Sequence, residues 1–258
     1  MSAMASRHVL LLAGSTEASE LARRLADLPG VDVTVSFAGR TAVPAPQPPG
    51  VAVRTGGFGG IEGLREHLEM VGFDAVIDAT HPFAKQMPLH ACAACAAAGV
   101  PVIRVERAPW TEQPGDAWIE ASDVHEAAAL VARSSFRRVL LTIGRQELAP
   151  FAACTDRRLF VRSIDPPTAG TLDGATLLLA RGPFTVDDEI ALLGEIDADV
   201  VVSKNSGGEA TSAKVTAARL LGIPIVMVNR PPATGATTVD TPAKAIEWLL
   251  GQPLRSRS

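Results

Sequence analysis

A run of charged, amide and hydroxyl residues with two glycines, VSKNSGGEATSAK, extends from Val202 to Lys214 at the end of the apolar stretch DADVVV. Lysine ammonium groups, side-chain donors and close-approaching glycine backbone, in a loop leading into a helix, are the equipment for holding an anion. A second such place is HVLLLAGSTEASELARRL, His8 to Leu25, which reads as strand, glycine turn and helix. Free N–H groups at a helix start favour phosphate, and Gly14, Ser15 and Thr16 are small enough to let one approach. The dinucleotide signature G-x-G-x-x-G is incomplete here, since only Gly14 is present. Glu17 is an awkward charge beside a phosphate, so it is expected to cap the helix or meet a hydroxyl. An ordinary capped helix is the competing reading of this turn.

The second strand candidate sharpens the choice of ligand. A fold that binds NAD usually ends this strand with an acid for the adenosine ribose. VTVSFAGRT offers Ser36, Arg40 and Thr41 there and no carboxylate. Arginine presents a planar, permanently charged fork that suits a 2′-phosphate, so the implied nicotinamide cofactor is NADPH rather than NADH. A further glycine turn, TGGFGG, Thr55 to Gly60, leads into a helix and misses the signature because Glu62 stands where the last glycine belongs. Its backbone at Gly57, Phe58 and Gly59 could approach a dinucleotide, or serve only as a flexible connection.

These loops need a scaffold, and the rest of the chain supplies one. The 258 residues are 47% hydrophobic and 20% charged, ordinary for a globular protein and enough for two small α/β domains. A net charge of −4 and 4% aromatic residues argue against a nucleic-acid binder. The longest apolar runs are too short for a membrane helix, which predicts a soluble, cytoplasmic protein. Short, near-continuous apolar runs (HVLLLA, VTVSF, VAVR, AVIDAT, PVIRV, then AWIE, RVLLTI, LFVRS, TLLLA, DVVVS, PIVMV) alternate with helical patterns. Strands buried on both faces look like this, and the alternation predicts parallel sheets with right-handed crossovers. The expected fold is α/β: two Rossmann-like, doubly wound, mainly parallel domains with a cleft between them. The proline- and glycine-bearing ERAPWTEQPGD marks the seam, giving domains over 1–110 and 111–258. Ligands in such sheets bind beyond the carboxyl ends of the strands, where the polar loops of this chain fall. Cys92 and Cys95 form a C-x-x-C inside an alanine-rich helix pattern, which reads as a packed helix face rather than a metal or redox site. No metal site is expected.

The blocks LLLAGSTEASELA, VTVSFAGRT, GGFGG, VIDATHPFA, LTIGRQEL, LARGPFTVDDE and SKNSGGEATSAK, in this order, resemble the precorrin-6A reductase family (CobK/CbiJ) of cobalamin biosynthesis. DATHPFA and KNSGG in one chain are the most specific of them. The resemblance runs nearly end to end. It implies two Rossmann-like halves and NADPH-dependent reduction of one double bond of the tetrapyrrole precorrin-6A, giving precorrin-6B. One branch of the pathway uses the metal-free macrocycle and the other its cobalt complex. On this resemblance Lys204, Asn205, Ser206, Gly207, Gly208, Thr211 and Lys214 would hold carboxylates of the substrate or phosphates of the cofactor. A helix beginning near Ser212 would add its dipole. Arg145 and Arg181 would clamp further carboxylates, or bridge the domains.

Reduction needs a hydride and a proton. His81, after a strand in DATHPF, is the candidate acid because imidazole titrates near neutral pH. Thr80 would orient the cofactor or the imidazole, and water is the alternative proton source. Asp78 and Glu209 are expected to be structural. Two other readings compete: a tetrapyrrole lyase of the uroporphyrinogen-III synthase type, needing no nicotinamide, and a non-catalytic NADP-binding regulator. No nucleic-acid or membrane partner is expected, and the expected state is a monomer.

Overall fold

The computed structural model describes residues 6–39, 46–232 and 235–254. The run RHVLLLA forms β1 (Arg7–Ala13), whose last five residues are buried. Its side chains explain the unbroken apolar sequence. Val9 and Leu11 enter one core with Leu21, Leu25 and Val35, while Leu10 and Leu12 enter another with Leu64, Leu68 and Phe73. A strand covered on both faces has no position to give to water.

From there the chain alternates. α1 (Thr16–Ala26) is capped by Ser15, and β2 (Val31–Phe37) and β3 (Ala52–Thr55) follow. Next come α2 (Gly60–Val71), β4 (Ala75–Ala79), α3 (Gln86–Ala98) and β5 (Val102–Val105). β6 (Trp118–Ala121), α4 (Val124–Arg133), β7 (Arg138–Leu141), β8 (Arg158–Ser163) and β9 (Thr176–Leu179) open the second half. α5 (Val186–Glu195), β10 (Val200–Lys204), α6 (Ala213–Leu221) and β11 (Ile225–Val228) continue it. β12 (Thr238–Val239) and α7 (Pro242–Leu250) end the described chain.

Two compact units result, Met1–Arg107 with Pro232–Ser258, and Ala108–Pro231. Each holds a six-stranded parallel sheet, in the orders β12-β5-β4-β1-β2-β3 and β6-β11-β10-β7-β8-β9. Both are α/β sheets of the doubly wound kind. Read from the strand that starts the winding, the two orders coincide. The difference is the sixth strand, which comes last in the chain for the first unit (β12) and first for the second (β6).

One expectation is corrected here. The apolar alternation predicts a second half that continues to residue 258, but β12 pairs with β5, and Ala245, Ile246 and Leu249 of α7 pack with α1 and β1. The final segment belongs to the first unit because its apolar face completes that unit's core. The seam itself falls at Arg107–Ala108, within the predicted ERAPWTEQPGD.

α3 carries Cys95 fully buried beside Leu64 and Ala91, with Cys92 half-buried. Burial pushes the Cys95 thiol up to about 12, with lesser help from Cys92 and Asp78. That is a packed helix face. Among the described residues no helix is long and apolar enough to cross a membrane.

Leu249 and Leu250 separate core packing from surface. Leu249 is wholly buried and Leu250 is 57% exposed. Leu249→Ala is expected to cost about 2–5 kcal/mol in urea denaturation and Leu250→Ala less than about 0.5 kcal/mol. Equal losses would contradict the placement of α7.

Candidate active site

In the first unit the strand order reverses between β1 and β4, the point where doubly wound sheets bind their ligands. Two turns meet there. After β1, Gly14 lies so close to the turn after β4 that an added Cβ would stand 3.1 Å from the His81 nitrogen and 3.3 Å from Thr80 Cα. Ser15 Oγ donates to the Ala79 carbonyl at 2.9 Å and also accepts from Ala18 N–H, tying both turns to the start of α1.

Beneath the second turn lies a buried ion pair. Asp78 and Arg104 are partners across the β4–β5 ladder, and Arg104 Nη1 donates to Asp78 Oδ2 at 2.6 Å. The other Asp78 oxygen accepts Thr80 N–H at 3.0 Å. Arg104 reaches Thr80 Oγ1 at 3.3 Å and Glu106 at 3.0 Å. Burial alone would lower the Arg104 pKa, but the charges and hydrogen bonds of Asp78 and Glu106 hold it above its ordinary value. Thr80 is therefore fixed at both its backbone and its hydroxyl.

His81 Nδ1 accepts Phe83 N–H at 3.2 Å, and its ring lies 5.9 Å from that of Phe83. With Nδ1 accepting, the neutral imidazole carries its proton on Nε2, where it is a donor. Glu17 is satisfied as the sequence suggested and more: Thr16 Oγ1 donates to it, and Arg107 pairs with it at 2.6 Å.

Beyond β2 and β3, Ser36 is buried at the ladder position opposite Arg54. Arg40 and Thr41 lie outside the described residues. The glycine turn at 56–60 is open, since a Cβ at Gly56, Gly57, Gly59 or Gly60 would meet nothing within 4 Å. Gly63 behaves in the opposite way, because its Cβ would fall 1.8 Å from the Phe58 carbonyl oxygen. The turn is thus closed against the first turn of α2 through Gly63, a requirement visible in the sequence only as one more glycine after Glu62. Arg54, which the sequence reading passes over, bonds Ser36 Oγ at 3.0 Å and the carbonyls of Gly56 and Gly57 at 2.8 and 2.7 Å. Its guanidinium lies 3.6 Å from the centre of the Phe58 ring. Phe58 in turn neighbours His67, whose pKa is lowered by burial and by the charge of Arg54.

The second unit reverses its order between β7 and β10. Arg145 follows β7 and Lys204 ends β10, so their loops adjoin, whereas Arg181 follows the edge strand β9 and is exposed. Lys204 is ion-paired with Glu147, and Arg145 reaches the Pro166 carbonyl at 3.0 Å and Asp165 at 3.7 Å. Asn205 spends both ends of its amide on the Trp110 backbone, accepting from its N–H at 2.8 Å and donating to its carbonyl at 3.0 Å.

The rest of the loop is similarly engaged. Trp110 Nε1 donates to the Gly208 carbonyl, and Thr211 Oγ1 to that of Gly207. Arg230 donates to the carbonyls of Asn205 and Ser206. Lys214 is buried, donates to the Thr211 carbonyl at 2.7 Å and lies 5.1 Å from the Trp110 ring centre. Gly207 has φ +66, and its Cβ would fall 2.0 Å from the Ala108 carbonyl oxygen. Ser212 precedes α6, as the sequence predicts, after a 3-10 turn over Glu209–Thr211.

The fold and its glycine-lined turns define a Rossmann-like α/β protein with two switch points. A family model described as precorrin-6x reductase CbiJ/CobK matches residues 8–250, and the chain belongs to that family. It is 47% identical over 242 residues to a precorrin-6A reductase of Rhodococcus erythropolis, covering 93% of this chain and 96% of the relative. A cobalt-precorrin-6A reductase of Priestia megaterium is 29% identical over 257 residues, covering 95% and 98%. A solved CobK precorrin-6A reductase superposes with a TM-score of 0.89 at 42% identity, covering 96% of this chain and 99% of that one. These are reductases, members of the oxidoreductases.

Removing Asp78 would leave the buried Arg104 charge with Glu106 as its remaining carboxylate partner. Asp78→Ala is expected to cost about 3–5 kcal/mol in denaturant unfolding. A loss below about 1 kcal/mol would mean that the pair is not needed to hold the Thr80 turn.

Proposed function

We propose that this protein reduces one double bond of metal-free precorrin-6A, giving precorrin-6B, with NADPH as the reductant. The observation that carries the reading is the first switch point, where the Gly14 turn meets the Thr80–His81 turn over the Asp78–Arg104 pair in a chain of this reductase family. The metal-free macrocycle is favoured over the cobalt complex by identity, 47% to the relative named for the former and 29% to the one named for the latter.

The residues fit a dinucleotide. The 56–60 turn leaves open space beside its backbone, Gly14, Ser15 and Thr16 lead into a capped helix, and β2 ends without a carboxylate. Ser36, Gly57, Phe58, Gly59 and Thr80 would line the cofactor, with Arg40 and Thr41 at its 2′-phosphate, which favours NADPH. The bound nicotinamide would supply a hydride to one carbon of the double bond. The chain's own task is then to orient the reactants and to place a proton on the adjacent carbon. His81 would deliver that proton from Nε2 as an imidazolium, a form that also protonates Nδ1 and so gives up the bond from Phe83 N–H, and the neutral ring left behind would be recharged from solvent. Thr80, fixed twice, would hold the turn steady while this happens.

The loops of the second switch point would receive the macrocycle's carboxylates. Lys204, Arg145 and Arg181 would supply charge, and Ser206, Gly207, Gly208 and Thr211 the shape of the loop. Lys204 and Arg145 would exchange or share their present carboxylate partners, Glu147 and Asp165. Asn205 and Lys214 would act by bracing the loop against Trp110.

Titration of the purified protein with NADPH and NADH, followed by precorrin-6A, tests the reading. Expected are tighter binding of NADPH and loss of the reduced-nicotinamide absorbance on adding the macrocycle. Binding without turnover would favour a regulator, and no binding even with the macrocycle present would favour a lyase. His81→Gln is expected to lower kcat by about 10²–10⁴-fold while nucleotide affinity stays nearly unchanged. An unaltered kcat would assign the proton to water.

A further inference from the structure

Partly buried arginines of the first unit are generally neutralised. Arg104 faces Asp78 and Glu106, and Arg107 faces Glu17. Among the described residues two differ: Arg7 donates to the carbonyls of Leu249 and Gln252 at the end of α7, and Arg54 stands at the ends of β2 and β3. Arg54 occupies the same kind of place as Arg104, near the carboxyl end of a strand and opposite a residue of the neighbouring strand, but that partner is Ser36 instead of an aspartate. Its guanidinium has five N–H donors. Three go to uncharged oxygens, on Ser36, Gly56 and Gly57, and none to a carboxylate among the described residues. The ring of Phe58, 3.6 Å away, holds the plane still. Burial lowers its pKa, and no nearby negative charge raises it again. A fixed, partly buried guanidinium at the ends of β2 and β3, with no carboxylate partner among the described residues, is poised for an anion.

In this fold class the end of the second strand meets the adenosine ribose. We propose that Arg54 is a specificity-determining residue that recognises the phosphate on that ribose and so sets the preference for NADPH over NADH. This rests on the nicotinamide reading above. The three bonds to Ser36, Gly56 and Gly57 fix the guanidinium in place, and its two remaining donors and its charge serve the ligand.

Support of the glycine turn alone would affect every nucleotide alike, whereas recognition of the extra phosphate affects only ligands that carry it. Calorimetric titration with 2′,5′-ADP, 5′-AMP, NADPH and NADH on wild type, Arg54→Gln and Arg54→Lys makes the distinction. Arg54→Gln is expected to weaken 2′,5′-ADP and NADPH by about tenfold or more while 5′-AMP and NADH change by less than about threefold. Arg54→Lys, which keeps the charge and loses the fork, should fall between wild type and Arg54→Gln. It also carries the test if the glutamine variant fails to fold. Equal weakening of all four ligands, or no weakening, would overturn the proposal while leaving the nicotinamide reading intact. Wild-type protein that bound neither NADPH nor 2′,5′-ADP would sink both.

Discussion

A carboxylate and a guanidinium taken out of water together govern the first unit. Desolvating either charge alone is prohibitive, and even together they need their remaining donors and acceptors satisfied. Asp78 and Arg104 meet much of that demand at the carboxyl ends of β4 and β5, through Thr80 N–H, Thr80 Oγ1 and Glu106. The result is a turn tied by its backbone and its hydroxyl to the buried pair. Gly14 can approach that turn closely because it has no side chain, and Ser15 locks the approach through the Ala79 carbonyl. The geometry at this switch point thus follows from the electrostatics of one ladder position.

The second unit reaches a similar end by different means. Its loop after β10 is ordered mainly by neutral hydrogen bonds centred on Trp110, with Arg230 bonding the carbonyls of Asn205 and Ser206. Gly207 is required twice over, by its left-handed backbone and by the Ala108 carbonyl that fills the space of a Cβ. One loop is held by a buried charge pair and the other by an indole and an amide. Both lie at reversals of the same strand order.

Much of this was legible in the sequence, for physical reasons. Strands such as HVLLLA and DVVVS announce themselves because burial on both faces removes polar positions, and the polar loops follow their carboxyl ends. The helix starts after Gly14 and near Ser212 were legible too, although only Ser15 caps its helix with its side chain and Ser212 donates its hydroxyl to the Glu209 carbonyl instead. β12 was not, because two residues carry no pattern and its pairing with β5 spans the whole second unit. Nor could the sequence say which charges are already compensated. Lys204 meets Glu147, Glu17 meets Arg107, and Arg54 meets no carboxylate among the described residues, and each outcome depends on partners brought together only by folding. Gly63 looked like one glycine among several until its distance to Phe58 gave it a reason.

The path of the chain through the sheets has a consequence for synthesis on the ribosome. All of Ala108–Pro231 emerges before the residues that complete the first unit. The first five strands must therefore wait, with the face that receives Ala245, Ile246 and Leu249 uncovered, while a whole second sheet is made and can fold. The unit translated first is the unit finished last, and its apolar face stays open to water until α7 arrives.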